Sequence, residues 1–116
     1  MSVIAGKTCM DRNAPEYLID SVNSAYDDSK RLIKKWHNTN RSYYAITPRF
    51  APTSTPEQLD SLGSLWSEYP DCLMQTHLSE QKEEIEWVSK LFPESDSYLD
   101  VYDKFNLVRK NSIFGH

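Results

Sequence analysis

YYAITPRFAPTSTPEQLDSLGSLWSEYPDCLMQTH, residues 43–77, predicts one complete strand–helix–strand unit. Residues 43–47 and 72–76 are short, almost continuous apolar runs, as expected for parallel strands covered by helices. Between them, Thr55-Pro56-Glu57-Gln58 resembles a helix start, with a Thr cap, Pro at the first helical position and Gln where a capping box needs it. Leucines recur at helical spacing until Pro70 ends the helix. The stretch therefore predicts two parallel strands joined by a crossover helix.

The same alternation extends outward in both directions. Residues 3–10 predict an earlier strand, and a helix is expected from the Asn13 cap through Pro15 to Trp36. Further helices are predicted over about residues 81–91 and 98–105, and a last strand over 112–116. The order fits either a small doubly wound sheet or part of a (β/α)8 barrel. A whole barrel takes about 250 residues, so a chain of 116 residues with four predicted strands would be less than half of one.

Composition narrows the classes of protein. A net charge of −4 with scattered basic residues argues against general nucleic-acid binding. No apolar run approaches the roughly 18 residues of a membrane span, and the first residues do not form a secretory leader. Cys9 and Cys72 lie in apolar runs and are predicted to be buried, reduced thiols. We therefore predict a cytoplasmic protein that binds neither nucleic acid nor membranes.

Residues suited to chemistry follow each predicted strand. In parallel α/β proteins, ligands bind at the carboxyl ends of the strands, so these residues are expected to converge on one face. They are Asp11 and Arg12, Arg49 and Phe50, His77 and Glu80, and His116.

His77 and Glu80 form the first candidate pair. A neutral imidazole at a strand end is a good zinc ligand, and a carboxylate in the first turn of the next helix can move protons beside the metal. The alternative is a hydrogen-bonded core histidine and a carboxylate that favours the helix dipole; the same histidine alternative applies to His116. His37, near a helix end, is predicted to be structural.

Arg49 and Phe50 form the second pair. A planar guanidinium beside a ring suits a flat, polar, aromatic ligand such as a nucleobase, and the alternative is a salt-bridged Arg beside a core Phe. The stripe of Tyr98, Tyr102 and Phe105 is predicted to be packing. Glycine-rich phosphate loops, nucleophile elbows and the H-x-E with P-C-x-x-C pattern of cytidine-type deaminases do not occur in the sequence.

Four segments resemble guanine deaminases of the amidohydrolase superfamily, in order and over essentially the whole chain. They are IAGKTCMDRNAP (residues 4–15), AITPRFAPT (45–53), THLSE (76–80) and YLDVYD (98–103). The segment containing Pro48-Arg49-Phe50 is the most specific, whereas H-x-x-E occurs in many amidohydrolases.

The resemblance implies zinc-dependent hydrolysis of guanine to xanthine and ammonia. It makes His77 the zinc ligand of the fifth barrel strand, also beside the substrate, and Glu80 the proton shuttle. His116 would orient the attacking water or steady the intermediate, and Arg49 and Phe50 would grip and stack the guanine ring.

Two parts of the family pattern are missing from residues 1–116: the H-x-H pair of the first strand and the metal-binding Asp of the last. The chain is therefore expected to represent about barrel strands three to six of a catalytic domain, to bind zinc weakly, to be inactive alone and to self-associate, with the whole enzyme a dimer. Another purine or pyrimidine amidohydrolase, and a non-enzymatic small α/β binding module, are the alternatives. A phospho-receiver is disfavoured because the third strand ends in His77.

Overall fold

The computed structural model describes residues 2–115, which form a parallel α/β arc. The strands are β1 (Val3–Ala5), β2 (Thr8–Cys9), β3 (Ser42–Pro48), β4 (Leu73–His77) and β5 (Ser112–Gly115). The helices are α1 (Val22–Trp36), α2 (Pro56–Glu68), α3 (Lys82–Leu91) and α4 (Tyr98–Lys104), with single 3-10 turns at Glu16–Leu18 and Ala51–Thr53. None of the helices between residues 2 and 115 has the length and apolar content needed to cross a bilayer.

The strands lie side by side in chain order. The sheet runs β1-β3-β4-β5, with β2 continuing along β3, and every pairing is parallel. A doubly wound sheet reverses its strand order at a switch point, and the described strands do not. This order is that of a (β/α) barrel arc, one of the two architectures that the alternation of strands and helices predicted.

The core lies between the sheet and its helices. Tyr44 and Ile46 of β3 and Met74 of β4 are almost wholly buried on the helix side. α1 and α2 pack against each other and against β3. The largest buried side chains of α2 are Trp66, Leu59, Leu62 and Leu65. The opposite face of the sheet, which no helix covers within residues 2–115, carries Ile4, Tyr43 and Ile113 at 51%, 38% and 45% exposure.

The predicted start of the first helix is wrong. Asn13 has a positive φ of 52° and its side-chain amide donates to the Pro52 carbonyl, so it ties two loops together instead of capping a helix. α1 begins after Ser21, whose hydroxyl accepts from the Ser24 N–H in a reciprocal capping box. The Ser21-x-x-Ser24 pattern was the signal missed. The predicted end at Trp36 is confirmed.

The predicted first strand is interrupted at Gly6. Both halves keep one register against β3, with Ala5 opposite Tyr44 and Thr8 opposite Thr47. A Cβ on Gly6 would lie 1.7 Å from the Ala45 carbonyl oxygen. The close approach of the two backbones therefore requires glycine, which separates β1 from β2.

Candidate active site

The end of β4 and the loop after β3 are joined through their backbones. Phe50 and His77 form a parallel bridge, and the His77 N–H donates to the Arg49 carbonyl at 3.1 Å. The Thr76 hydroxyl donates to the same carbonyl at 3.2 Å. Two of the sequence-predicted pairs, Arg49–Phe50 and His77–Glu80, thus meet at the carboxyl edge of the sheet.

His77 presents its imidazole to solvent. It is the last residue of β4 and is exposed, and no described side chain hydrogen-bonds its ring. Its Cδ2 would lie 3.6 Å from a Cβ at Gly115, so the ring lies over the end of β5. A histidine that hydrogen-bonds within the core, the alternative considered from the sequence, does not match this environment.

Glu80 lies in a turn just before α3, not in its first turn as predicted. Ser79 has a φ of 53°, and the chain reaches the N-cap Gln81 one residue after Glu80. The Glu80 N–H donates at 2.8 Å to the carboxylate of Glu84, which is buried. Glu84 therefore satisfies the helix start, and the exposed carboxylate of Glu80 is left available for chemistry.

A cavity of 340 Å³ lies between Phe50 of one pair and Glu80 of the other. Its lining is aromatic and acidic, and consists of Phe50, Glu80, Gln81, Glu83, Glu84 and Trp87. An aromatic wall beside carboxylates offers a stacking face and hydrogen-bond acceptors to a flat ligand that carries N–H groups.

Arg49 is exposed and lies over the Phe50 ring, with its guanidinium carbon 5.5 Å from the ring centroid. Its only described side-chain hydrogen bond is a weak one to the Met10 sulfur at 4.0 Å. Because its planar donors are not used by a carboxylate of the described chain, the salt-bridged alternative does not hold for Arg49.

The remaining predicted residues are placed differently. The Asp11 carboxylate accepts from the N–H and the hydroxyl of Thr55, at 2.8 and 2.5 Å, and so holds the start of α2. Arg12 lies over the Phe92 ring at 5.3 Å. His116, the predicted second catalytic residue, lies outside the described residues.

His37, Asp71 and Cys72 form the one cluster of three potential metal ligands found in residues 2–115. It lies at the amino ends of β3 and β4, far along the strands from His77. His37 Nδ1 accepts from the Tyr44 N–H and Nε2 contacts Asp71, both at 3.0 Å. Both ring nitrogens of His37 are thus engaged by protein partners, which agrees with the structural role predicted for His37.

The side chain that sequence reasoning missed is Tyr102 of α4. It is wholly buried, and its hydroxyl donates to the His77 carbonyl at 2.6 Å and accepts from the Ala51 N–H at 2.9 Å. The spacing of Tyr98 and Tyr102 indicated packing only. The Tyr102 ring does pack, but nothing in local periodicity shows where its hydroxyl lies.

Comparison with known proteins identifies the class. The model of the amidohydrolase family matches residues 1–116. The guanine deaminase of Escherichia coli K12 is 55% identical over 116 residues, which are 100% of this chain and 26% of that protein. Its solved structure superposes with a TM-score of 0.98 over 100% of this chain and 27% of the other. A guanine deaminase from C. acetobutylicum with bound guanine gives 0.94 at 36% identity, covering 100% and 28%.

The chain belongs to the amidohydrolase family, and its fold is an arc of that family's barrel. The resemblance and the fold class predicted from the sequence are confirmed. Its relatives that bear the name guanine deaminase are hydrolases of a generally metal-dependent family. The chain spans 26% of the length of the first relatives that it matches.

Proposed function

We propose that this chain is part of a zinc-dependent guanine deaminase, which hydrolyses guanine to xanthine and ammonia. The observation that carries the proposal is the bridge that joins Phe50 to His77 at one edge of the sheet, beside an aromatic, acidic cavity that Phe50 and Glu80 line. Similarity to guanine deaminases over the whole chain supports the same substrate.

Each residue has a proposed role that follows from its chemistry. Phe50 stacks on the purine, and Arg49, whose guanidinium carries free donors, binds the acceptor atoms of its edge. Glu80 takes a proton from the attacking water and returns it to the departing ammonia. His116 is proposed to orient that water or to steady the intermediate.

His77 is the proposed metal ligand. Its exposed imidazole, which no described side chain engages, fits one position of a zinc site. Structural and catalytic zinc sites use about three or four protein ligands, so the other ligands must come from residues outside the described set. The chemistry that a bound zinc ion supplies is a water molecule whose pKa is lowered to about 7.

Residues 1–116 are proposed to be one part of the catalytic barrel domain, inactive when isolated and weak in binding zinc. The uncovered apolar face of Ile4, Tyr43 and Ile113 supports self-association of the isolated chain. For the complete protein we propose a cytoplasmic homodimer that acts on a small molecule and not on nucleic acid or membranes.

The test is guanine hydrolysis by the complete natural protein, with Glu80→Gln as the variant. Loss of a positioned general base or acid lowers kcat by about a hundredfold to ten-thousandfold, and we expect a loss in this range. The measurement is the steady-state conversion of guanine to xanthine, with adenine and cytosine assayed in parallel.

Glu86→Gln is the matched control, since Glu86 is an exposed carboxylate of α3 that does not line the cavity. We expect it to keep full activity. Turnover of adenine or cytosine but not guanine would establish a different amidohydrolase, and no turnover of any base would favour a binding module.

A further inference from the structure

We propose that Tyr102 is a positioning residue, which fixes the metal-ligand strand end at His77 against the substrate-binding loop at Arg49–Phe50. The inference deepens the proposed function and rests on the roles given there to His77, Arg49 and Phe50. Tyr102 itself touches neither substrate nor metal in this assignment.

The geometry of the hydroxyl group carries the inference. Tyr102 comes from α4, the helix that precedes β5, yet its hydroxyl reaches two other segments. It donates to the His77 carbonyl at 2.6 Å and accepts from the Ala51 N–H at 2.9 Å. The Thr76 hydroxyl lies 3.3 Å from it. The phenol therefore donates one hydrogen bond and accepts one, and the single proton of the Thr76 hydroxyl lies between the Tyr102 oxygen and the Arg49 carbonyl.

The aromatic ring of Tyr102 is fixed by packing, which also fixes the position of its hydroxyl. Tyr102 has no exposed surface, and its ring centroid lies 5.8 Å from that of Tyr98 and 5.9 Å from that of Phe114. The packed ring therefore keeps the hydroxyl within hydrogen-bond distance of the His77 carbonyl.

Loss of the hydroxyl would leave polar groups without partners. Ala51 is wholly buried, and its N–H has no other described partner than Tyr102. The His77 carbonyl would lose its short hydrogen bond as well. A buried N–H without a partner is costly, so the chain would shift at this place, and that shift would move His77 relative to Phe50.

Tyr98 offers a matched control within the same helix. It is also a buried tyrosine of α4, but its hydroxyl makes no hydrogen bond to His77 or Ala51. Replacing either tyrosine by phenylalanine removes one buried oxygen and preserves the ring. Only Tyr102→Phe removes contacts to His77 and Ala51.

The experiment compares Tyr102→Phe with Tyr98→Phe in the complete natural protein. We expect Tyr102→Phe to lower kcat/KM for guanine by about tenfold to a hundredfold, the usual effect of losing support for a metal ligand, and Tyr98→Phe to leave it unchanged. Amide hydrogen exchange, measured on metal-free protein, should quicken at Ala51 and His77 in Tyr102→Phe only.

Ile33→Val separates positioning from general loss of stability, because it removes buried apolar volume from α1 and leaves the Tyr102 hydroxyl and its partners in place. If a variant of Ile33, at an equal fall in melting temperature, lowers activity as much as Tyr102→Phe, the inference is overturned. Equal activity and equal exchange in Tyr102→Phe and Tyr98→Phe would overturn it too.

A failure of the proposed function can be distinguished from a failure of the Tyr102 inference. The unaltered protein would then not convert guanine, and the exchange measurement alone would decide the inference. Faster exchange at Ala51 and His77 in Tyr102→Phe only would support the positioning role, and unchanged exchange would refute it.

Discussion

The two ends of the sheet each hold a histidine beside a strand, and they treat it in opposite ways. At the amino end, the His37 side chain is 7% exposed, and both of its nitrogens are engaged, by Asp71 and by the Tyr44 N–H. At the carboxyl end, His77 is exposed and no described side chain bonds its ring. At the amino end, the hydrogen bonds of His37 stabilise the fold. At the carboxyl end, where ligands bind in parallel α/β proteins, the ring nitrogens of His77 have no partner among the described side chains.

The same contrast holds for two arginines that each lie over an aromatic ring. Arg109, in the turn before β5, stacks on Trp66 at 4.5 Å and also donates to the Asn106 carbonyl at 2.6 Å and to Ser67 at 3.0 Å. Arg49 stacks on Phe50 and has only the weak contact to Met10. Residue type therefore does not distinguish these two arginines, whereas their hydrogen-bond partners do.

Exchanging the histidines for alanine should have the largest effect. His77→Ala is expected to lower guanine turnover and bound zinc by at least about a hundredfold, since outer-shell changes alone reach that value, with little change in melting temperature. His37→Ala is expected to lower the free energy of unfolding by about 1–3 kcal/mol because it leaves the Tyr44 N–H unpaired.

Zinc content, turnover per folded molecule and thermal melting are the measurements for both variants. If His37→Ala lost zinc while His77→Ala kept it, the assignment of the two ends would have to be reversed.

The arginine pair should give an intermediate effect. Arg49→Lys is expected to raise KM for guanine by at least about tenfold, because a hydrogen bond from a charged group contributes about 1.5–3 kcal/mol. Arg109→Lys should leave KM unchanged and lower stability by about 1 kcal/mol, through loss of the guanidinium fork. Steady-state kinetics measure the KM of both variants, and urea unfolding measures their stability. An equal KM in both variants would count against a substrate role for Arg49.

The smallest effect is expected in the pH dependence of stability. The hydrogen bond from His37 lowers the pKa of the Asp71 carboxyl below its ordinary value. Because the folded-state pKa is the lower one, this stabilisation is complete above the unfolded-state pKa of about 4 and is lost as the pH falls through the folded-state pKa. Asp71 is largely exposed, so the contribution is at most about 1 kcal/mol.

Asp71→Asn should therefore weaken the dependence of the urea midpoint on pH between about 2 and 5. Asp103→Asn is a suitable control, since this carboxylate is exposed and has no described hydrogen bond or ion pair through its side chain. A pH profile that Asp71→Asn leaves unaltered would show that the His37–Asp71 contact does not stabilise the fold.

Much of the fold could be predicted because the signals are local. The Thr55 cap, Pro56 at the first helical position and the stop at Pro70 place α2 within a residue or two of its observed bounds. The strands β3 and β4 were predicted within one residue at each end. Asn13 was misread because its side chain bonds Pro52, 39 residues later, and no local pattern reports such a partner.

Only part of the candidate site could be predicted, because local signals place residues at strand ends but do not show their distant partners. The carboxyl-end rule placed Arg49, Phe50, His77 and Glu80 on one edge, and the structure brings them together there. The rule also selected Asp11, which the fold uses to hold Thr55, 44 residues away. It gave no sign of Tyr102, whose partner Ala51 is 51 residues earlier.

The sequence by itself determined the order of strands and helices, the cap of α2, and which side chains stand where the strands end, because periodicity and capping act over a few residues. Only the tertiary structure decided which histidine is satisfied, which arginine keeps free donors and which tyrosine joins two loops. Those outcomes depend on hydrogen bonds such as His37–Asp71 and Ala51–Tyr102, which span 34 and 51 residues. Such partners meet only after the sheet and helices have packed.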